Sequence, residues 1–153
     1  MRLPLFAILA ALPFPALAEP AAQLARDYCA AVTRFDEAAA VALMAPALQA
    51  AILRARTVDD AFVKAHPDEK PPLGDGLRLA AFPDAPESCT PGTVTDIDAI
   101  LRYQPAGSEE GAWSDRLILV PDGQGGVLIG DIDFGMKDED TLSLWLDTIA
   151  TGE

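Results

Sequence analysis

Histidine, cysteine and positive charge are all scarce in this chain, which has 153 residues, one histidine (His66) and two cysteines (Cys29 and Cys89). A single imidazole excludes a multi-histidine zinc centre and leaves a Ser-His-Asp triad only one choice of base. Lysine and arginine number 11 against 24 acidic residues, a net charge of −13. Such a field repels phosphate backbones and anionic lipid, which argues against nucleic acid and against insertion into a membrane. Long apolar runs are missing too. The run from Leu3 to Leu12 is about half of the roughly twenty residues that a membrane-crossing helix needs. A phosphate-binding loop is also lacking. Gly123-Gln124-Gly125-Gly126 carries no Lys-Ser/Thr and no helix follows it, so it reads as a hairpin turn. No metal and no cofactor are expected.

What is present begins with an address. Arg2, the apolar run and then Pro13-Phe14-Pro15-Ala16-Leu17-Ala18 have the form of a secretion signal, with Ala16 and Ala18 as its small-residue cleavage motif. Cleavage is expected between Ala18 and Glu19, with residues 1–18 as signal peptide and 19–153 as a single domain. No cysteine stands at the cut, so a lipid anchor is not expected, and the domain is placed in the periplasm or outside the cell. In such a compartment Cys29 and Cys89 are expected to form one disulfide. That bond would tie the first helix to the loop before the sheet.

Leu24, Tyr28, Val32 and Phe35 recur at helical spacing and predict a helix over Ala21–Phe35. Asp36 is placed to cap the next helix, and Val41, Met44 and Leu48 continue the period. Pro46 predicts a restart, with a third helix to about Arg56. Thr57-Val58-Asp59-Asp60 resembles a fresh cap for a short helix ending near Ala65. Residues 67–92 hold six of the 13 prolines and several glycines, and they predict a long irregular connection with one short strand at Leu77–Phe82.

Period two takes over afterwards. Ile97, Ala99, Leu101 and Tyr103 alternate with polar residues as in a half-buried strand, and Trp113–Val120 and Val127–Ile132 flank the glycine turn as a hairpin. A last helix is expected from about Asp140 to Thr148, with Leu142, Trp145, Leu146 and Ile149 on its apolar side. Asp138-Glu139-Asp140 would favour its positive N-terminal end. Helices followed by consecutive antiparallel strands give an α+β class.

The strand Trp113-Ser114-Asp115-Arg116-Leu117-Ile118-Leu119-Val120, a glycine turn, and the strand Val127-Leu128-Ile129-Gly130-Asp131-Ile132 resemble the last hairpin of small exported NTF2-like (cystatin-like α+β) domains. The resemblance rests on a W-x-D-R strand followed by an I-x-D-I strand and covers residues 93–134. It implies N-terminal helices packed on a curved antiparallel sheet, with a cone whose interior holds a pocket. The family includes isomerases and dehydratases as well as domains without activity, so the fold alone assigns no function. No base-plus-hydroxyl pair aligns with the catalytic motifs of the enzyme members.

Four residues are candidates for such a pocket. Tyr28 and Tyr103 carry hydroxyls on apolar stripes, and Asp131 and Asp133 lie two apart on one strand, where an interior carboxylate would serve as a base. Their structural alternatives are core tyrosines with satisfied hydroxyls and carboxylates that cap a strand end. No residue is assigned a catalytic role. The leading expectation is a secreted, non-catalytic domain that binds a protein partner or a small ligand. Two alternatives stay open: a cofactor-free isomerase, dehydratase or hydrolase with a carboxylate base in the cone, and an acidic inhibitor or immunity-type protein.

Overall fold

The computed structural model describes residues 18–82, 86–107, 111–135 and 140–152. The signal segment therefore lies outside the described residues, apart from Ala18. Three helices come first, α1 (Ala18–Thr33), α2 (Glu37–Ala42) and α3 (Pro46–Ala65). Strands β1 (Ser88–Val94), β2 (Asp98–Gln104), β3 (Trp113–Pro121) and β4 (Val127–Asp133) follow, and α4 (Leu142–Thr151) closes the chain. The strands form an open antiparallel sheet in the order β1-β2-β3-β4, so the class is α+β as expected.

Helix boundaries follow local chemistry. The Asp36 carboxylate accepts the Ala39 N–H at 3.0 Å and caps α2. Pro46 occupies the first turn of α3, where its missing N–H costs nothing. The expected second start at Thr57 does not occur, and α3 runs unbroken to Ala65. Its hydroxyl donates back to the Leu53 carbonyl at 2.9 Å, which is what threonine does inside a helix. Phe35 departs from the apolar face of α1 and is 71% exposed, because the chain turns there through φ 56°.

Two further expectations are corrected in the connection. Residues Leu77–Phe82 form no strand; their backbone is satisfied by side chains instead. The Leu77 N–H donates to Glu37, the Leu79 carbonyl accepts from Tyr28, and the Ala81 N–H donates to Asp115. Conversely, Ser88–Val94 is a strand, with Cys89 opposite Tyr103 and Pro91 opposite Leu101. It lies at the sheet edge and is irregular between Pro91 and Val94, where proline is tolerated. Ile97 precedes β2 in the turn between strands and is 67% exposed.

The Cys29–Cys89 disulfide joins α1 to β1, with Cα atoms 5.1 Å apart and a sequence separation of 60. It therefore holds a strand rather than a loop. In the chain-entropy account, closing a loop of this length stabilises the fold by ~4 kcal/mol. The same two elements pack together, and Ala21, Leu24, Ala25, Tyr28 and Val32 of α1 join the core. A disulfide fits an oxidising compartment. Among the described residues no helix is long and apolar enough to cross a membrane.

On the sheet, one face carries Ala99, Leu101 and Tyr103 of β2 with Leu117 and Leu119 of β3, all buried. In β4 the alternation slips. Ile118 pairs with Asp131 but Leu119 pairs with Ile129, leaving Gly130 as the extra residue of a bulge. A Cβ at Gly130 would lie 2.8 Å from Cγ1 of Val120, so a side chain there would force Val120 to shift. Val127 and Ile129 point inward before the bulge, and Ile132 and Phe134 after it. The free edge of β4 is covered in two places. Ala45 donates to the Ile129 carbonyl at 2.7 Å and Ile129 donates to Leu43 at 3.0 Å, while Phe134 donates to Asp140 at 2.9 Å.

Candidate functional site

The inward row of β3 runs Trp113, Asp115, Leu117, Leu119, so strand alternation places a carboxylate among core side chains. Asp115 is only 1% exposed. Its Oδ2 accepts the Ala81 N–H at 3.1 Å, and its Oδ1 has no hydrogen-bond partner among the described residues. Burial raises the carboxyl from 3.8 to about 7, against the lowering effects of the Ala81 N–H and the Arg78 guanidinium. The negative charges of Asp133 and Asp140 push it further up.

Two aromatic neighbours on the same face repeat this pattern. Tyr103 lies opposite Trp113 in the β2–β3 ladder, and Asp115 is opposite Leu101. The Tyr103 and Trp113 rings stack with centroids 5.2 Å apart, and Phe82 meets Trp113 edge-on at 5.0 Å. Both the Tyr103 hydroxyl and the Trp113 Nε1 are buried and lack a partner among the described residues. Tyr28 approaches from α1, and its hydroxyl donates to the Leu79 carbonyl at 2.7 Å. Both phenols are raised, Tyr103 by burial and then by the charge of Asp115, Tyr28 by burial, then by Tyr103 and Asp115.

Arg78 is the cation whose charge acts on Asp115, but its hydrogen bonds go elsewhere. It donates to both oxygens of Asp140 at 2.9 and 3.1 Å and to the Ala81 carbonyl at 3.4 Å, and it lies 4.0 Å above the Phe134 ring centroid. The charge of Arg78 acts on Asp115 only through space. Asp140 thus serves as an ion-pair partner for the loop rather than only as a helix-start charge. Asp138 and Glu139 lie outside the described residues.

The four residues proposed from the sequence separate into two pairs. Tyr28 and Tyr103 both turn inward and meet near Asp115, but Asp131 and Asp133 do not join them. After the Gly130 bulge they take the side of β4 opposite Ile132 and Phe134. Asp131 accepts from the Ser143 N–H at 3.0 Å, the Ser143 hydroxyl at 2.5 Å and its own neighbour Ile132 at 2.8 Å, which secures the first turn of α4. Asp133 pairs with Arg116 at 2.7 Å and accepts from Gly135 at 2.9 Å. Both carboxylates are thus engaged in local structure, as in the strand-end alternative given for them from the sequence. His66 is the C-cap of α3, half-exposed beside Glu69, away from these groups.

The glycine-rich segment is a hairpin turn in the structure. Asp122 accepts from Gln124 at 2.6 Å and Gly126 at 2.9 Å, and these two N–H groups hold its carboxyl below the usual range. No group of three or more His, Cys, Asp or Glu among the described residues forms a metal site. An open hollow of about 380 Å³ is lined by Ser88, Thr90, Arg102, Tyr103, Trp113 and Ser114, and another of about 460 Å³ lies between α3 and α4 at Phe62 and Trp145. Asp115 lines neither. No family model matches the chain, and neither a curated protein nor a solved structure matches it.

Proposed function

We propose that this chain is an exported, periplasmic binding domain of NTF2-like form that takes a small polar ligand at Asp115, Tyr103 and Trp113. One observation carries this reading. Three polar atoms, Asp115 Oδ1, Tyr103 OH and Trp113 Nε1, are buried on adjacent strands without partners among the described residues. An unsatisfied buried polar group costs about 1–3 kcal/mol, more when charged, so three together are retained against a stability penalty. A ligand that completes their hydrogen bonds supplies the compensation. The disulfide and the signal-like N-terminus support export, and helices followed by an antiparallel sheet support the NTF2-like form.

A second reading has its own observation. A carboxyl titrating at about 7 is poised to accept or return a proton at neutral pH, as a general base must. In that case Asp115, rather than Asp131 or Asp133, would be the base of a cofactor-free proton-transfer enzyme.

Native mass spectrometry of protein purified from a bacterial periplasm tests the binding reading. The expected result is a small-molecule adduct on the wild type that is lost in Asp115→Asn and Tyr103→Phe while both variants remain folded. An adduct retained in both variants would move the site elsewhere. Bare protein that also ignores a fragment library of small polar molecules would reject ligand binding. Turnover of a bound fragment, abolished by Asp115→Asn, would favour the enzyme.

A further inference from the structure

We infer that the ligand of this site is a small organic cation, a protonated amine that also carries an acceptor oxygen. This rests on the binding reading above and follows from which groups are left over. Asp115 Oδ1 accepts nothing from the described residues, and on the same face of the sheet it stands two residues along β3 from Trp113, whose ring stacks on Tyr103 of β2. A buried carboxylate needs a counter-charge. Arg78, whose charge acts on Asp115 through space, is held by two bonds to Asp140 and one to Ala81, over the Phe134 ring. Among the described residues no cation bonds Asp115, so when it ionises the ligand supplies the missing charge.

Three further features select the same class. Aromatic faces attract cations, and Tyr103, Trp113 and Phe82 provide a continuous set of rings beside the carboxylate. The net charge of −13 concentrates cations at the surface and repels anions. The Trp113 N–H is a donor only, so the ligand must bring an acceptor as well as its ammonium group. The Tyr103 hydroxyl accepts or donates and suits either part.

Proton linkage distinguishes this class from neutral ligands. The titratable and charged groups that interact with Asp115 are Tyr28 on α1, Tyr103 on β2, Arg78 in the connection and Asp140 before α4, with Asp133 acting from the other face of β4. Within that set Asp115 titrates at about 7, while the phenols are raised well above 10.0. A cation binds the ionised carboxylate. Its affinity therefore rises with pH through 7 and is about tenfold greater at pH 8 than at pH 6, as long as the amine stays protonated. A ligand that accepts a hydrogen bond from the protonated carboxyl shows the opposite slope.

The test uses three matched probes, ethanolamine, ethylene glycol and glycolate, titrated into the full mature chain at pH 6 and pH 8. Binding is read by the NMR resonance of the Trp113 indole N–H and by the shift in Tm. The expected result is binding of ethanolamine alone, about tenfold tighter at pH 8, lost in Asp115→Asn and weakened in Tyr103→Phe. Preference for glycol or glycolate, or affinity that grows toward acid pH, would overturn the cation and leave the binding site standing. Absence of any Trp113 response to all three probes, with Asp115→Asn altering stability only, would overturn both.

Discussion

Asp115 and the Asp131/Asp133 pair lie on neighbouring strands of one sheet, yet their surroundings differ. Asp131 receives three hydrogen bonds, two of them from Ser143 at the start of α4, and Asp133 has an arginine and a backbone N–H. Both are spent on holding the fold together. Asp115 is more deeply buried and receives a single bond from Ala81. A pair of carboxylates close in sequence is thus a weaker sign of function than one carboxylate left incomplete in a core. Buried charge without compensation opposes folding, and residues that oppose folding are those a binding site retains.

The largest expected effect sharpens this contrast. Asp115 has its carboxyl raised from 3.8 to about 7 in the folded protein, which therefore holds the proton more tightly than the unfolded chain does. As pH rises from about 4 to 7 the unfolded chain ionises first, and stability is lost progressively and then stays constant above 7. At 1.36 kcal/mol per unit, the loss at pH 8 is ~4 kcal/mol. Asp115→Asn keeps an acceptor for Ala81 and does not ionise. It is expected to be more stable than the wild type by an amount of that order at pH 8, with little difference below pH 4. Urea denaturation from pH 4 to pH 9 measures both curves. Parallel curves would mean that Asp115 is as well satisfied as Asp131, and the contrast would disappear.

The next effect has the opposite sign. Asp131→Ala removes the partner of the Ser143 N–H and hydroxyl, leaving only the Thr141 cap on α4. Loss of a helix cap costs about 0.5–2 kcal/mol, and Asp131→Asn should recover part of it because an amide oxygen still accepts. Thermal unfolding of the two variants measures the difference. Neither should change the pH dependence contributed by Asp115, and a change in it would show that the two regions are not independent.

Much of the architecture was legible before the structure. The helical spacing of Leu24, Tyr28 and Val32, the caps at Asp36 and Pro46, the glycine hairpin and the disulfide all follow from local chemistry that the fold preserves. The failures also have local causes. Ser88–Val94 contains Pro91 and Gly92 and reads as a loop, but an edge strand accepts them. Thr57 reads as a cap because threonine serves at helix starts and, through its bond to Leu53, inside helices as well. Spacing by two put Asp131 and Asp133 on one face without saying which, and the Gly130 bulge that sets the phase of β4 shows only in the pairing. Asp115 was missed although its phase was visible: it stands in step with Trp113, Leu117 and Leu119, and a carboxylate in step with core residues is a signal in itself. The partners that make it unusual, Ala81 and Arg78, come from a segment without periodicity, and only the folded chain brings them together.

The smallest effect probes how the two faces of the sheet communicate. The Arg116–Asp133 pair is partly exposed, with 48% and 25% of the two side chains accessible, so water and salt screen it. Its loss in Asp133→Asn is expected to cost less than about 1 kcal/mol. Asp133 also adds to the negative potential at Asp115, and removing that charge lowers the Asp115 titration below about 7. The lowered carboxyl recovers part of the stability that Asp115 costs above neutral pH, which opposes the loss of the ion pair. The net change in unfolding free energy at pH 8 is therefore expected to be near zero, while the Asp115 carboxyl resonance in a pH titration moves its midpoint toward acid. A midpoint that stays fixed would mean that the sheet screens one face from the other. The high titration of Asp115 would then arise from burial and the charge of Asp140.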